Sequence, residues 1–247
     1  MDYPHISILT PTYNRSKFLP LFIHNLKNQT YPHNKLEVVI YDDGTEPFTD
    51  SIEKMRNDIS PMKLVYHRDK VKKTIGEKRN YLVKLSSSKI LINMDDDDIY
   101  HPQYIQYSYH ELKDQKKGLV GSNGMLFTYP AKDFDMTGIQ CKELVQIHEA
   151  TMCYSCLHPE NSSHMCYSKK FFKSMGGYEK SSQGEGMNMI QNQKHNIGLT
   201  DIRTIMVCVA HDGNSVDKQQ FYSKDRLFSH KYEGAEVQIL KQILGLE

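Results

Sequence analysis

A short apolar run that ends in four consecutive aspartates constrains the fold more than any other stretch of this chain. Residues 89–102 read K-I-L-I-N-M-D-D-D-D-I-Y-H-P, and the apolar run leads straight into the aspartates at 95–98. The run has the length and composition of a buried strand. Adjacent carboxylates repel one another unless a cation lies among them, and their oxygens suit Mg²⁺ or Mn²⁺. The pattern predicts a strand leading into a divalent-metal site, with a solvated acidic loop as the alternative.

Strand and helix patterns alternate through the first half of the chain. The apolar residues predict strands at 5–10, 36–41, 62–66 and 90–94 and helices at 17–29, 46–58 and 76–85. This alternation indicates an α/β fold with a parallel sheet and right-handed crossovers. Ser16 stands just before the first helix, where we expect it to act as the N-cap.

The second predicted strand also runs directly into carboxylates, Asp42 and Asp43 of V-V-I-Y-D-D-G-T. Ligands of open α/β sheets bind outside the carboxyl ends of the strands, so both acidic tips are expected at one pocket. One tip can accept hydrogen bonds from a ribose or base, and the other can hold a metal that bridges phosphates. The first strand is not followed by G-x-G-x-x-G, and G-x-x-x-x-G-K-[ST] is absent. The sequence therefore predicts a nucleotide–metal site that is neither a dinucleotide site nor a P-loop.

The second half of the chain has a less regular pattern, and residues 128–158 show no clear period. Predicted elements are a helix at 104–115, a strand at 119–127 interrupted by Gly121 and Gly124, a strand at 164–167, a helix at 169–175, a strand at 205–210 and a helical tail at 233–246. A further helix is expected after the glycine-rich segment at 183–187. No motif in residues 120–200 identifies the molecule that this half would bind.

Composition limits the partners and the location. The 247 residues carry a formal net charge of +1, which argues against bulk electrostatic attraction to nucleic acid or an anionic membrane. No stretch approaches the roughly 20 apolar residues of a membrane helix, and the first residues lack the pattern of a signal peptide. The five cysteines are an odd number. Reduced thiols and a cytoplasmic location are therefore expected.

A cysteine and histidine cluster raises the hypothesis of a zinc site. It consists of Cys153-x-x-Cys156 with His158, His164 and Cys166 nearby. Only one C-x-x-C pair is present, and the remaining spacing matches no common zinc module. Ordinary buried thiols, or thiols of an acceptor site, are the favoured interpretation.

Four stretches, in order, resemble the inverting family 2 glycosyltransferases, which have the GT-A fold. They are I-S-I-L-T-P-T-Y-N-R at 6–15, V-V-I-Y-D-D-G-T at 38–45, I-L-I-N-M-D-D-D-D-I at 90–99 and M-G-G-Y-E at 175–179. The resemblance extends to about residue 215 and implies a Rossmann-like parallel or mixed sheet, flanked by helices and merged with a smaller acceptor-binding region. It implies a nucleotide-sugar-binding half at 1–125, an acceptor and catalytic-base half at 126–215, and a C-terminal helical tail at 216–247.

The resemblance also implies which residues bind the nucleotide sugar. Pro11, Thr12 and Tyr13 would line the nucleoside, and Asp43 would contact the base or ribose. Arg15 and Arg79 would lie near the diphosphate, because a guanidinium pairs well with phosphate oxygens.

The family's Asp-x-Asp motif falls on Asp95 and Asp97. By this resemblance Asp97 would bind the metal, and Asp95 would contact the ribose or a metal-bound water. Asp96 and Asp98 would support them, with Asp96 counted among the nucleotide-sugar-binding residues. His211 resembles the late histidine of an H-x-x-N-[ST] setting that closes over the metal and diphosphate. An imidazole among carboxylates favours Mn²⁺ somewhat over Mg²⁺.

The expected position of the catalytic base departs from the family pattern. Members commonly place a Glu-Asp pair some residues after G-G-[FY], and the Asp deprotonates the acceptor. Here the matching stretch is G-E-G-M-N-M, so Glu185 is the substitute. A carboxylate can take the proton as attack proceeds, and burial can raise its pKa. The alternative is a polar residue in a glycine-rich loop.

Together these residues predict a metal-dependent glycosyltransferase. It would move a sugar from a nucleoside-diphosphate-sugar, expected to be UDP-linked, to a hydroxyl of a glycan, protein or lipid-linked acceptor, with inversion. One alternative is a catalytically inactive nucleotide-sugar or glycan-binding module, which the missing Asp supports. Another is a sugar nucleotidyltransferase, but such enzymes usually carry a glycine-rich, arginine-containing loop after the first strand, and P-T-Y-N-R is not one.

Overall fold

The structure is a computed structural model that describes residues 3–140, 153–155, 176–192, 194–222 and 230–246. The strands within these residues form two sheets. The strands are β1 (Ile6–Thr12), β2 (Leu36–Asp42), β3 (Lys63–Arg68), β4 (Ile90–Asn93), β5 (Ile99–Tyr100), β6 (Leu119–Gly121), β7 (Gly124–Tyr129), β8 (Asp135–Gln140), β9 (Cys153–Ser155), β10 (Ile197–Leu199) and β11 (Met206–Val209). The predicted strand at 164–167 and helix at 169–175 lie outside the described residues. So do Cys156, His158, His164 and Cys166 of the zinc hypothesis.

The larger sheet has the strand order β10-β6-β9-β4-β1-β2-β3. β1 pairs in parallel with both β2 and β4, and β2 pairs in parallel with β3. The predicted parallel arrangement of the first four strands is therefore confirmed. β9 runs antiparallel between β4 and β6, which makes the sheet mixed. Because β1 lies between β2 and β4, the carboxyl ends of these three strands lie side by side.

The smaller sheet has the order β5-β11-β7-β8 and supplies the opposite side of the site. The prediction of one interrupted strand at 119–127 was wrong, because β6 belongs to the larger sheet and β7 to the smaller one. The chain turns between them at Ser122, whose hydroxyl donates to the Gly124 carbonyl and accepts from the Gly124 N–H, both at 3.0 Å. Two strands, β8 and β9, occupy the stretch that showed no clear period.

Helices cover both faces of the larger sheet. They are α1 (Leu19–Lys27), α2 (Ile52–Asp58), α3 (Ile75–Leu85), α4 (Tyr104–Asp114), α5 (Met187–Asn192) and α6 (Glu236–Leu244). Ser16 was predicted as an N-cap and is not one. It begins a separate 3₁₀ turn, Ser16–Phe18, and α1 starts after Phe18 without a side-chain cap. Pro20 in the first turn of α1 has no N–H, so this start leaves fewer donors unsatisfied.

The core lies on both faces of the larger sheet, which explains the continuous apolar runs of its strands. Ile8 and Val38 belong to the cluster on one face, and Leu9 and Val39 to the cluster on the other. A third cluster includes Phe18, Val209 and Leu240 and packs α6 beside α1 and β11. Among the described residues, no helix has the length and apolar character that crossing a membrane requires.

Candidate active site

A cleft of about 580 Å³ opens at the carboxyl ends of β1, β2 and β4, and we call it the charged cleft. Its lining includes Pro11, Thr12, Tyr13, Arg15, Lys72, Lys73, Lys78, Arg79, Asp95, Asp96 and Asp97. Of the nucleotide-binding residues predicted from the sequence, only Asp43 is missing from this lining. The charged cleft is therefore where the predicted nucleotide-sugar site lies.

The loop after β1 owes its shape to Asn14, which has a left-handed backbone conformation with φ of 54°. Asparagine tolerates this region better than most residues. The Asn14 side-chain oxygen accepts from the Thr45 N–H at 2.7 Å and so ties this loop to the one after β2. Gly44 stands against this contact, because a Cβ there would lie 2.8 Å from the Asn14 backbone nitrogen. The loop after β1 lines the charged cleft through Asn14 and Arg15, and the loop after β2 supports it through Thr45.

The second acidic tip reaches the charged cleft through Lys78 of α3. The Lys78 ammonium donates to Asp43 Oδ1 at 2.6 Å and to the Thr12 carbonyl at 2.9 Å. The other Asp43 oxygen accepts from the Lys73 N–H at 2.6 Å. Burial lowers the pKa of Lys78 below its ordinary value, although the neighbouring Asp43 opposes this shift. Lys78 lies 5.5 Å from the centre of the Tyr13 ring, so one cation joins the ends of β1 and β2.

The four consecutive aspartates bind four different parts of the protein. Asp95 accepts from Arg79 of α3 at 3.0 Å, and Asp96 accepts from the hydroxyl of Thr12 on β1. Burial and the adjacent Asp97 raise the pKa of Asp96 well above its ordinary value. The Thr12 contact and the raised pKa both show a carboxyl group held inside the fold.

Asp97 and His211 are brought together as predicted, with Asp97 Oδ2 3.0 Å from His211 Nε2. Arg15 lies 3.3 Å from the same oxygen and also donates to the Gly213 carbonyl. Burial would raise the pKa of Asp97, but the His211 hydrogen bond, Lys218 and Arg15 together lower it, so Asp97 is ionised. Burial lowers the pKa of His211, which favours the neutral imidazole that can bind a metal.

Asp98 has a structural role that joins the two sheets. Its carboxylate accepts from the Val209 N–H of β11 at 2.9 Å and from Lys218 at 3.3 Å. Burial raises the pKa of Asp98 to about 6, although Lys218 opposes the shift. These contacts fix β11 and the segment after it, including His211, against the end of β4.

Arg79 lies between two carboxylates and has more partners than the sequence suggested. Its Nη2 donates to Asp95 at 3.0 Å, and its Nε donates to Glu185 Oε1 at 3.1 Å. Burial alone would lower the pKa of Arg79, but Asp95 and Glu185 raise it well above its ordinary value. The predicted contact with a diphosphate remains a prediction.

The loop that carries Glu185 is fastened to α3. Asn80 donates to the Tyr178 carbonyl at 2.8 Å and accepts from the Tyr178 N–H at 3.0 Å. The Gly76 N–H donates to the Ser181 carbonyl at 2.9 Å, and a Cβ on Gly76 would overlap the Glu179 carbonyl oxygen. The N-terminus of α3 is stable in itself, because Thr74 and Glu77 form a capping box. One helix therefore positions Lys78, Arg79 and, through this loop, Glu185.

A second cleft of about 290 Å³ adjoins the first, and we call it the apolar cleft. Glu185, Asp97, Asp98 and Lys218 line one part of it, and Met125, Phe127, Ile139, Val216 and Phe221 line the other. The rings of Phe127 and Phe221 stack with their centres 5.0 Å apart. Asp95, Asp97 and Arg79 line both clefts, so the predicted base faces a space next to the predicted donor site.

The donor set at Asp97 and His211 fits a divalent cation that a nucleotide helps to bind. Among the described residues, no three His, Cys, Asp or Glu side chains form a group that could hold a cation by themselves. Mg²⁺ is commonly bound by one or two carboxylates together with substrate phosphates. A carboxylate with an imidazole also suits Mn²⁺.

Two buried lysines of the site were missed from the sequence. Lys78 directly precedes Arg79 in G-E-K-R-N, and its role depends on Asp43, a contact that only the fold creates. Lys218 lies seven positions after His211, and its role depends on Asp98, a contact that only the fold creates. The position of Lys78 beside Arg79 in α3 was the one sequence feature that could have indicated a buried lysine at this site.

The fold and the two clefts define a class of α/β proteins in which a cation-rich cleft at the ends of parallel strands adjoins a second cleft. The chain belongs to glycosyl transferase family 2, whose profile matches residues 7–146, more than half of its length. It is 28% identical over 148 residues to glycosyltransferase AglE of Haloferax volcanii. It is 31% identical over 103 residues to a validoxylamine A glucosyltransferase of Streptomyces hygroscopicus.

Each match covers only part of this chain and part of the relative. The AglE match spans 58% of this chain and 48% of AglE, and the validoxylamine A glucosyltransferase match spans 42% and 24%. The chain thus spans about half the length of AglE and a quarter of the glucosyltransferase.

Solved structures confirm the GT-A fold. Staphylococcus aureus TarS 1–349 in complex with UDP-GlcNAc superposes with a TM-score of 0.66 at 16% identity, covering 97% of this chain and 71% of that one. Mannosyltransferase PcManGT of Pyrobaculum calidifontis, in complex with GDP-Man and Mn²⁺, gives a TM-score of 0.62 at 15% identity, covering 86% and 59%.

Proposed function

We propose that this protein transfers a sugar from a nucleoside-diphosphate-sugar to an acceptor hydroxyl. The observation that carries the proposal is the arrangement of Glu185 in the apolar cleft beside the cation-rich charged cleft, with Asp95 and Asp97 lining both. A diphosphate needs cations around it, and an attacking hydroxyl needs a base nearby. The two clefts supply these requirements on adjoining sides.

The donor is proposed to be UDP-linked and to bind in the charged cleft. Thr12 and Tyr13 would line the nucleoside, and Asp43, whose carboxylate is buried, would act on the base or ribose through Lys78, which it binds. Arg15 would pair with the diphosphate. TarS has been solved with UDP-GlcNAc and UDP, whereas PcManGT has been solved with GDP-Man, so neighbours of the same fold support a sugar nucleotide and differ in the base.

Asp97 and His211 would hold Mn²⁺ or Mg²⁺. When bound, the cation would offset the negative charge that builds up on the leaving diphosphate. PcManGT has been solved with Mn²⁺, which supports divalent-metal use. Arg15, 3.3 Å from Asp97 Oδ2, adds a fixed positive charge on the same side.

The proposed transfer inverts the anomeric centre. Glu185 accepts the proton of the acceptor hydroxyl, and the acceptor oxygen forms a bond to the anomeric carbon. The bond from that carbon to the diphosphate oxygen breaks on the opposite face, and the nucleoside diphosphate leaves with the electron pair. Glu185 is only 5% exposed, so water reaches the base slowly, and UDP release without an acceptor is a slow hydrolysis in which water takes the place of the acceptor hydroxyl.

A thermal-shift screen against UDP, GDP and their sugars, with and without Mn²⁺, tests the donor. We expect the largest stabilisation from a UDP-sugar with Mn²⁺, because a ligand that binds only the folded state raises the melting temperature. Release of UDP from that donor then tests catalysis. Stabilisation without any release would favour the alternative, an inactive binding module, which the Gly186 that stands in place of the usual Asp already suggests. The acceptor, the division into two halves and a tail, and the cytoplasmic location stay predictions.

A further inference from the structure

One guanidinium connects the two clefts. Arg79 is 2% exposed, and it contacts Asp95 through Nη2 and Glu185 through Nε. It lines both the charged cleft and the apolar cleft. It is therefore the cation shared between a residue expected to contact the donor and the residue expected to activate the acceptor.

The Glu185 carboxylate depends on this cation. A buried carboxylate is costly unless a charge or hydrogen-bond donors compensate it. Its loop is fixed by backbone contacts to α3 at Tyr178 and Ser181, but those contacts hold the main chain and leave the carboxylate itself to be oriented. The Nε of Arg79 donates to Oε1 at 3.1 Å and so orients the carboxylate.

Arg79 also has an incomplete set of partners. Its Nη1 is buried and makes no hydrogen bond within the described part of the chain. A guanidinium kept only for the stability of the fold is expected to have all its buried donors satisfied. An unsatisfied donor between two substrate clefts is more typical of a functional site, where a group is held ready for ligands.

We propose that Arg79 is the positioning residue for Glu185 and links donor binding to the base. It fixes a carboxylate oxygen of Glu185 at the wall of the apolar cleft, where the acceptor hydroxyl would bind. Arg79 also contacts Asp95 in the charged cleft. Donor binding at Asp95 would therefore affect the orientation of the Glu185 carboxylate. The inference rests on the proposed function, because it takes Glu185 as the base.

Release of UDP from the UDP-sugar that gives the largest thermal shift provides the test, in wild type, Arg79→Met, Arg79→Lys, Glu185→Gln and the Arg79→Met/Glu185→Gln double variant. If Arg79 acts through Glu185, Arg79→Met should lower kcat by about 100-fold, as for a misplaced catalytic group. The same substitution should have little further effect once Glu185 is Gln, because the two residues act as one unit. Arg79→Lys should retain part of kcat, because the charge remains.

A pH–rate profile gives a readout that general damage would not produce. Among the described residues that line the apolar cleft, the charged groups around Glu185 are Arg79 from α3, Asp95, Asp97 and Asp98 from the segment after β4, and Lys218 from the segment after β11. Without Arg79 a buried carboxylate is harder to ionise, so the acid limb of kcat should move up by about one pH unit or more in Arg79→Met. Asn80→Ala loosens the same loop without touching the carboxylate, so its acid limb should stay in place.

The outcomes separate the inference from the proposed function. Full release of UDP by Glu185→Gln, or no release by wild type from any UDP-sugar, would overturn the proposed function. An inactive Glu185→Gln combined with an Arg79→Met that keeps its kcat and acid limb would overturn the inference alone. The inference would also be overturned if the kcat of the double variant fell by the product of the two single-variant losses. Thermal melting and UDP titration on every variant identify any that fail to fold, and Arg79→Lys then carries the comparison.

Discussion

The two clefts differ in charge although they share a wall. Among the described residues, the charged cleft is lined by five cationic side chains (Arg15, Lys72, Lys73, Lys78 and Arg79) and three acidic ones. The apolar cleft has two cationic side chains, Arg79 and Lys218, with four acidic ones and an aromatic wall. An anionic diphosphate matches the first environment, and a neutral hydroxyl compound matches the second. If the proposed function holds, the loop after β4 contacts two substrates of unlike charge.

Replacing Asp97 should have the largest effect, because it lines both clefts. Asp97→Ala removes a ligand of the proposed cation. It also removes the carboxylate that both His211 and Arg15 contact. We expect loss of UDP release by about 1000-fold or more, and weaker Mn²⁺-dependent binding of UDP. Chelation of the wild type should give the same loss, reversed by added Mn²⁺. Asp133→Ala removes an exposed carboxylate paired with Lys231 and serves as the matched control. Full activity in excess chelator would contradict the metal role.

Replacing Glu185 should separate the clefts. Glu185→Gln keeps the shape of the side chain and removes its ability to take a proton. UDP release should fall by about 100-fold or more, as for loss of a general base, while calorimetric titration should show UDP affinity unchanged. Equal loss of binding and turnover would show that the apolar cleft is not functionally distinct from the charged one.

Substituting Gly76 should disturb the apolar cleft through the loop rather than through the chemistry. In Gly76→Ala the new methyl group overlaps the Glu179 carbonyl oxygen, so the loop with Glu185 must move. A displacement of about 1 Å can lower kcat by about 100-fold, whereas UDP affinity should change little. Gly124→Ala is the control, since its Cβ would lie 3.4 Å or more from its neighbours. A wild-type kcat in Gly76→Ala would show that this loop tolerates movement.

Two helix caps offer a smaller and cleaner comparison. The Thr74 hydroxyl accepts from the Glu77 N–H at the start of α3, and the Ser51 hydroxyl accepts from the Lys54 N–H at the start of α2. Thr74→Ala and Ser51→Ala should each lower the free energy of unfolding by about 1 kcal/mol in urea denaturation. Only Thr74→Ala should also reduce kcat, because α3 carries site residues and α2 does not. Equal kcat values would argue that the start of α3 does not position the site.

The smallest effect is expected at the opposite end of the sheet, at Glu37. Burial would raise the pKa of Glu37, but hydrogen bonds from Lys63, Ser7 and Ser87 lower it below its ordinary value of 4.5. A lowered folded-state pKa contributes stability above the unfolded value and loses it as the pH falls. The stability difference between wild type and Glu37→Gln should therefore be present at pH 7 and shrink below about pH 4.5. UDP release per folded molecule should be the same in both.

The first half of the chain could be predicted because its signals are local. The apolar runs of β1, β2 and β4 lead to strand ends at Thr12, Asp42 and Asn93, and a parallel sheet places such ends together. This was sufficient to predict the position of the charged cleft, whereas the pairing of Asp97 with His211 was expected from the resemblance to the glycosyltransferase family. The function of these residues stays a prediction that the variants above address.

The second half of the chain could not be predicted to the same extent because its contacts are long-range. β9 pairs with β4 and β6 across many residues of sequence, and Arg79 meets Glu185 106 positions away. β6 and β7 looked like one strand, since no local pattern states that a chain changes sheets at Ser122. Such pairings depend on which surfaces the folded chain brings together.

The run of four aspartates has a consequence for how this segment can vary. Its members are chemically identical, yet Asp95 contacts α3, Asp96 contacts β1, Asp97 contacts His211 and Asp98 contacts β11. Deleting one aspartate, or shifting the strand register by one position, would leave the composition almost unchanged. Each carboxylate would then lie in the position of an adjacent one and would lose its own contact. The role of each aspartate in D-D-D-D therefore depends on its position and not on the number of aspartates. A shift of this segment by one residue would break the contacts to α3, β1, His211 and β11 together.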